Sequence, residues 1–164
     1  MDPIEAAVLA AVEATGVEHE AMPCDPDFAD TAAFCERYGV DPADSANAIV
    51  VVGKGEPRRY ACCVVLATTR LDVNGAVRRR FGVRKASFAS ADETAELTGM
   101  RIGGVTPLAL PADLPVWVDE RVMERESIVL GGGSRSMKLR VAPEVFRRLD
   151  GVEIVPDLAL SVAD

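Results

Sequence analysis

The sequence predicts an α+β fold, built around a mixed and mostly antiparallel sheet. Predicted strands and helices are interspersed along the chain, many strands follow one another closely, and no internal repeat or linker interrupts them. The 164 residues fit one domain with a sizeable core, so we expect residues 1–164 to form a single domain. A sheet of this kind can also curl into a barrel.

The predicted helices begin at residues that favour a helix N-terminus, and most of them end at a glycine. In the first helix, Asp2 is the cap and Pro3 the first helical residue. Ser90 and Glu93 form the capping-box pattern of a later helix. The predicted helices span residues 3–15, 29–38, 73–80, 91–97 and 143–149.

The predicted strands are short apolar runs bounded by glycine, proline or aspartate. A Gly-Lys-Gly turn at residues 53–55 joins two of them into a β-hairpin. Another strand delivers Asp119 and Glu120 at its end. The predicted strands cover residues 17–22, 48–52, 60–67, 86–89, 116–118, 127–130, 137–141 and 154–155.

The composition is that of a globular protein, with 49% apolar and 27% charged residues. No apolar run approaches the ~18–20 residues that span a bilayer, and the acidic start of the chain does not resemble a signal peptide. We therefore expect a cytoplasmic protein without a membrane partner. The single histidine and the absence of C-x-x-C spacing predict no metal and no cofactor. The cysteines are expected to be buried free thiols: Cys24, Cys35, Cys62 and Cys63.

The net charge of −8 argues against broad, sequence-independent binding of nucleic acids. Basic residues nevertheless cluster at Arg78, Arg79, Arg80 and Lys85. Two interpretations remain open: the cluster is a solvated helix face, or it is a local patch that contacts phosphates on an acidic body.

The segment 98–111 has an unusual density of glycine and proline. Gly103 and Gly104 permit backbone angles closed to other residues, and Pro107 and Pro111 fix φ. Such a stiff loop can present main-chain N–H groups to a carbonyl or phosphate oxygen, which is the geometry of an oxyanion-stabilising site. The alternative is an ordinary connection between a helix and a strand.

Several short motifs follow one another between about residues 31 and 149. They are Lys85-Ala86-Ser87-Phe88-Ala89, Thr98-Gly99, Gly103-Gly104-Val105-Thr106-Pro107, Val116-Trp117-Val118-Asp119-Glu120 and Gly131-Gly132-Gly133-Ser134-Arg135, before the helix that begins at Pro143. In this order and spacing they resemble the YbaK/EbsC family of aminoacyl-tRNA deacylases. That family includes the editing domain inserted in some bacterial prolyl-tRNA synthetases.

The resemblance implies a pseudo-barrel of mixed strands flanked by helices, with a pocket for the 3′ end of an aminoacyl-tRNA. It also implies hydrolysis of the ester of a mischarged small amino acid by main-chain amides, a water and the substrate's ribose hydroxyl, without metal. Carried over, Gly103 supplies the amide that orients the aminoacyl carbonyl, and Gly104 lies beside it. Thr106 and Pro107 complete the loop against the substrate. An aminoacyl-tRNA synthetase is a further possible partner.

Two positions depart from the family pattern. Where many members carry a strand lysine, this chain has Asn47, and where they carry an acid after the glycine turn, it has Lys138. Asn47 can donate a hydrogen bond to a ribose or phosphate oxygen, and Lys138 can restore the positive charge. The structural alternatives are a strand-end residue for Asn47 and an exposed sheet position for Lys138.

Two further groups are candidates for binding substrate. Asp119 either holds the amino acid's ammonium or a pocket group, or it caps the next helix. Gly132, Gly133 and Ser134 either cradle the terminal adenosine or a phosphate, or form a plain turn. Two alternative functions also remain open. One is a catalytically silent module that binds a tRNA end, a nucleotide or an aminoacyl compound, and the other is a hydrolase of small aminoacyl esters.

Overall fold

The computed structural model describes residues 2–162. Its helices are α1 (Pro3–Thr15), α2 (Thr31–Tyr38), α3 (Arg78–Phe81) and α4 (Ala91–Thr98). Its strands are β1 (His19–Pro23), β2 (Ala46–Gly53), β3 (Arg59–Leu66), β4 (Thr69–Leu71), β5 (Ala86–Phe88), β6 (Val116–Asp119), β7 (Ile128–Gly131), β8 (Met137–Val141), β9 (Val152–Val155) and β10 (Ala159–Ser161). Short 3₁₀ helices cover Pro26–Phe28, Pro42–Asp44, Glu120–Glu124 and Pro143–Arg147. None of the described helices has the length and apolar character needed to cross a membrane.

The capping signals form as predicted. Asp2 and Glu5 close a reciprocal capping box at the start of α1, and Ser90 and Glu93 do the same for α4. Gly16 ends α1 in the left-handed conformation, at φ 71°. Each capping box satisfies two main-chain N–H groups at its helix start, so residues close in sequence are enough to favour these helix boundaries.

Two predicted helices have a different form. Residues 73–77 adopt a π-helical turn before the short α3, because the Asp72 carboxylate accepts a hydrogen bond from Ala76 N (3.0 Å) and widens the first turn. The last predicted helix, 143–149, is instead a 3₁₀ helix that ends at Arg147. Strands β4 and β10 were not predicted from the sequence, since each has three residues and pairs only with the other.

The strands form three sheets. The largest has the order β5-β2-β3-β6-β9, a second has the order β1-β8-β7, and β4 pairs with β10. The β3–β6 and β6–β9 pairs are parallel and the other described strand pairs are antiparallel, so a mixed, mostly antiparallel arrangement is confirmed. The pseudo-barrel is not confirmed, because the strands separate into three sheets and do not close into one.

Strand β3 is buried on both faces, and successive side chains alternate between two apolar cores. Cys62 and Val64 belong to a core with α1 and the three-stranded sheet. Cys63 and Val65 belong to a core with Trp117 and the π-helical turn. The free, buried cysteines are as predicted. Burial raises the pKa of the Cys62 thiol to about 12, so it is unsuited to act as a nucleophile.

Candidate functional site

A cavity of about 280 Å³ lies where the Gly/Pro loop meets β2, the start of α2 and the β7–β8 hairpin. Its polar lining combines a few side chains with main-chain groups, and its remaining walls are aliphatic. The lining residues are Asp30, Thr31, Ala46, Asn47, Ala48, Ile49, Val50, Ala89, Thr94, Ile102, Gly103, Val105, Gly131 and Lys138. Of the predicted site residues, the cavity thus brings together Gly103, Asn47 and Lys138.

Gly103 is held in a conformation that favours glycine. Its φ is 93°, and the Arg135 guanidinium packs directly against the position that a β-carbon would occupy. Within residues 2–162, no protein acceptor takes the Gly103 N–H. The Gly103 amide is therefore free to donate to a ligand.

Gly104 has a different role from the one expected. Its N–H donates to the Arg101 carbonyl (2.8 Å), so this amide is already used inside the loop. A β-carbon at Gly104 would lie 2.6 Å from the Ser134 main chain. Gly104 thus allows the loop to pack closely on the β7–β8 turn, and it does not line the cavity.

Asn47 projects from β2 into the cavity and is oriented by Thr31 at the start of α2. The Thr31 Oγ1 hydroxyl donates to Asn47 Oδ1 at 2.5 Å. Because this bond occupies the amide oxygen, the Asn47 NH₂ group remains as a pair of donors. The sequence identified Asn47 but gave no sign of its partner, which lies 16 residues away.

Lys138 is buried, with 6% of its surface exposed, so the interpretation as an exposed sheet residue is wrong. Its Nζ donates to the carbonyls of Ala29 (2.6 Å) and Gly103 (2.7 Å), and it lies 5.4 Å from the centre of the Phe34 ring. Burial lowers the pKa of Lys138, and the nearby Arg135 charge acts in the same direction. The charges that oppose this shift come from Cys24, Asp30 and Cys35. Lys138 is tied to main-chain carbonyls on two sides of the cavity.

The glycine turn packs the loop against α1. Gly133 N donates to the Gly104 carbonyl (2.8 Å), and a β-carbon at Gly133 would lie 2.8 Å from Ile4. Gly132 N donates to the Met137 carbonyl (3.1 Å), and the Ser134 hydroxyl donates to Glu5. Gly132, Gly133 and Ser134 therefore do not line the cavity, whereas Gly131, at the start of the turn, does.

Three other predicted binding residues also lie outside the cavity lining. Thr106 and Pro107 are buried within the loop, and Thr106 Oγ1 has no hydrogen-bond partner among the described residues. Asp119 is fully buried, accepts from Leu158 N (3.2 Å) and lies 3.5 Å from Arg121. It occupies the N-cap position of the 3₁₀ helix Glu120–Glu124, but its side chain makes no cap hydrogen bond to that helix. Burial raises its pKa.

The predicted basic cluster lies on α3 and before β5, away from the cavity lining. Arg79 and Lys85 are exposed. Arg80 pairs with Glu153 and lies 5.0 Å from the centre of the Trp117 ring, while Arg78 Nε donates to the Asn74 carbonyl (2.9 Å). This exposure is compatible with both interpretations of the cluster.

Sequence reasoning missed two charged residues beside the cavity. Asp30 precedes α2 but makes no cap hydrogen bond, and its carboxylate accepts from Arg135 (3.0 Å). Arg135 also donates to the Ile102 carbonyl (2.8 Å). No local pattern could reveal this pair, because its members are 105 residues apart. Within the described part of the chain, no cluster of three or more His, Cys, Asp or Glu side chains could hold a metal.

Comparisons with known proteins show the family of this chain. The sequence profile of the family described as "Aminoacyl-tRNA editing domain" matches residues 25–149. YwhH of Bacillus subtilis, an uncharacterized protein, is 29% identical over 109 residues, which cover 66% of this chain and 67% of YwhH. EbsC of Enterococcus faecalis, a candidate Cys-tRNA(Pro)/Cys-tRNA(Cys) deacylase, is 23% identical over 123 residues, 75% of this chain and 73% of EbsC.

Solved structures share the fold at low sequence identity. The crystal structure of the hypothetical protein APE2540 superposes with a TM-score of 0.82 at 24% identity, covering 93% of this chain and 99% of the other. The crystal structure of a candidate trans-editing enzyme for prolyl tRNA synthetase superposes with a TM-score of 0.80 at 23% identity, covering 98% of this chain and 99% of the other. With the profile match over most of its length, the chain belongs to the aminoacyl-tRNA editing domain family, which confirms the YbaK/EbsC resemblance.

Proposed function

We propose that this protein is a trans-editing deacylase, a single editing domain that hydrolyses the ester of a mischarged small amino acid on tRNA. Its place is translation quality control in the cytoplasm. The observation that carries the proposal is that Gly103 lines the cavity and that its N–H has no acceptor among residues 2–162. A rigid main-chain donor at a cavity wall is what stabilisation of a developing oxyanion requires.

In the proposed reaction, a water attacks the aminoacyl carbonyl carbon, and the Gly103 N–H donates to the carbonyl oxygen as it gains negative charge. The new C–O bond gives a tetrahedral intermediate, and its collapse breaks the bond to the ribose oxygen. The substrate's neighbouring ribose hydroxyl relays the water's proton to that leaving oxygen. The products are the free amino acid and the uncharged tRNA. No protein side chain is required as a strong base.

The side chains around Gly103 bind and orient the substrate. The free NH₂ group of Asn47 donates to a ribose or phosphate oxygen. Asp30 replaces Asp119 as the carboxylate that attracts the α-ammonium, because Asp30 lines the cavity and Asp119 does not. Thr106 and Pro107 hold the loop's shape, and the Gly131–Ser134 turn supports the loop from behind. A cavity of about 280 Å³ with aliphatic walls at Ala46 and Ala48 suits a small aminoacyl group.

The tRNA body is proposed to lie against the basic cluster. Exposed Arg79 and Lys85, with Arg78 and Arg80, supply positive charge on a chain whose net charge is −8. Such a patch contributes phosphate contacts that are independent of sequence and sensitive to salt. An association with an aminoacyl-tRNA synthetase is a further part of this proposal.

The direct test is to incubate the purified protein with tRNAs charged with labelled small amino acids and to measure the release of amino acid. Cys-tRNA(Pro) and Cys-tRNA(Cys), the substrates in the name of the relative EbsC, come first in the panel. Buffer and correctly charged tRNAs other than Cys-tRNA(Cys) serve as controls. We expect faster release from at least one mischarged tRNA, and rates equal to buffer across the panel would contradict the proposal.

A catalytically silent binding module is the second candidate. Two observations favour it: Asn47 carries no charge, and the Lys138 ammonium is bonded to two protein carbonyls. A non-hydrolysable aminoacyl-adenosine analogue separates the two functions. Tight binding of the analogue, together with no release from any charged tRNA, would establish the silent module and exclude the deacylase.

A further inference from the structure

Arg135, in the turn between β7 and β8, makes four hydrogen bonds through its guanidinium, three to main-chain carbonyls and one to a carboxylate. Its Nη1 donates to the Ile102 carbonyl (2.8 Å) and to Asp30 Oδ1 (3.0 Å). Its Nε and Nη2 both donate to the Pro26 carbonyl, at 3.2 and 2.8 Å. A planar guanidinium with this many bonds is held in one orientation. Arg135 therefore connects the Gly/Pro loop rigidly to the segment before α2.

The hydrogen bond from Arg135 to the Ile102 carbonyl orients the whole peptide group between Ile102 and Gly103. The Ile102 carbonyl and the Gly103 N–H belong to the same planar trans peptide, so they point in opposite directions. A cation that holds the carbonyl on its own side therefore directs the Gly103 N–H to the opposite side. Arg135 thus determines the direction of this amide without touching anything that the amide would bind.

Lys138 constrains the next peptide in the same way. Its Nζ holds the Gly103 carbonyl, so the Gly104 N–H of that peptide must point away from Lys138. The Gly104 N–H indeed bonds to the Arg101 carbonyl on the other side. Two cations on one hairpin therefore orient two consecutive peptides, and they anchor them to Pro26 and Ala29.

We propose that Arg135 is the positioning residue of this site, and that its guanidinium sets the direction in which the Gly103 N–H donates. The inference rests on the proposed function for its catalytic consequence, but the orientation of the amide can be measured without catalysis. The Arg135 guanidinium also packs against the Gly103 α-carbon, which explains why position 103 has no room for a side chain.

The test compares Arg135→Lys and Arg135→Gln with a matched control, Arg125→Lys. Arg125 makes two hydrogen bonds to Asp44, where Arg135 makes one to Asp30, and the two side chains are exposed to a similar degree, 38% for Arg125 and 31% for Arg135. Arg125 does not line the cavity. Lysine keeps the positive charge at position 135 but cannot reproduce the planar, multiply donating guanidinium. Arg135→Lys therefore distinguishes an effect of charge from an effect of hydrogen-bond geometry.

We expect both Arg135 variants to lower kcat by about 10- to 100-fold, since misplacing a catalytic group by ~1 Å costs about that much. KM should change less than kcat, because Arg135 reaches the substrate only indirectly, through Asp30, the proposed partner of the α-ammonium. Arg125→Lys should retain wild-type kcat. Wild-type kcat in both Arg135 variants, or a rise in KM alone, would overturn the positioning role.

A readout that needs no turnover is the ¹H–¹⁵N spectrum. In the Arg135 variants the Gly103 amide resonance should shift and lose its response to a non-hydrolysable aminoacyl-adenosine, while amides in α1 keep their wild-type positions. An unchanged Gly103 resonance would overturn the inference even if the variants were inactive. If the wild-type protein has no deacylase activity, the proposed function fails, but the Gly103 shift still decides the role of Arg135.

Discussion

Replacing Gly103 with alanine perturbs the loop in two ways. The φ of 93° is unfavourable for an L-residue, and the new β-carbon would meet the Arg135 guanidinium. The guanidinium is the far end of a flexible side chain, so it can move aside, but it then loses its hydrogen bond to the Ile102 carbonyl. The strain itself costs about 1–2 kcal/mol of stability. The larger effect is the loss of the fixed direction of the Gly103 N–H.

The expected size of the catalytic effect follows from the role of that amide. Removing one oxyanion donor lowers a rate by about 10²–10³, which corresponds to ~2.7–4 kcal/mol in the transition state. This loss exceeds the strain cost, and it should appear in the rate of the bound complex more than in binding. Single-turnover deacylation, with enzyme in excess over a mischarged tRNA, measures that rate directly.

Gly151→Ala is the matched control. Gly151 also has a positive φ of 74°, but a β-carbon there would meet no atom within 4 Å, and the residue lies outside the cavity lining. The Gly151→Ala variant should lose about 1 kcal/mol of stability, because its backbone strain is of the same kind. It should keep the wild-type deacylation rate, because Gly151 lies outside the cavity lining. Equal rate losses in the two variants, or a wild-type rate in Gly103→Ala, would refute the assignment of the amide.

Four further changes test other parts of the structure. Thr31→Val removes the bond that orients Asn47, so we expect about tenfold slower deacylation, the equivalent of one hydrogen bond; an unchanged rate would contradict that orientation. Burial lowers the Lys138 pKa, so the unfolded chain binds this proton more tightly than the folded protein does. The free energy of unfolding should therefore increase as pH rises from the lowered pKa towards 10.5. Denaturant titrations should show this rise in the wild type and not in Lys138→Met. Arg79→Glu should raise KM for tRNA and make that KM less dependent on salt, while leaving unchanged the hydrolysis of an aminoacyl-adenosine ester, which has the ribose hydroxyl but no tRNA body; an equal effect on both substrates would argue against tRNA contact. Cys62 should resist iodoacetamide in the native protein and react only on unfolding, as its raised pKa and burial require, so modification without loss of structure would contradict the buried core.

Local signals were sufficient to predict most helices and strands. The caps of α1 and α4 are written in four consecutive residues each, and the apolar run of β3 predicts burial on both faces. The glycine and proline content of the loop identified Gly103, because a positive φ and a close neighbour both need glycine there. These features depend on residues that are near one another in sequence.

The remaining features depend on distant contacts. In β8 the alternation of apolar and basic residues suggests that Lys138 faces solvent, yet Ala29 and Phe34, from the segment before α2 and from α2 itself, enclose its ammonium. The partner of Asp30 is 105 residues away in sequence, and that of Asn47 is 16 residues away. Which polar residues meet at the cavity is decided by packing between elements, which no local pattern reports.

The central claim is that the Gly103 amide, and not the Gly104 amide, donates to the bound substrate. Hydrogen exchange of backbone amides, measured with and without a non-hydrolysable aminoacyl-adenosine, tests it directly. In the free protein, Gly103 should exchange fast and Gly104, bonded to the Arg101 carbonyl, more slowly. Saturation with the analogue should protect Gly103 and leave Gly104 unchanged, whereas a Gly103 amide that still exchanges fast in the saturated complex would contradict the account.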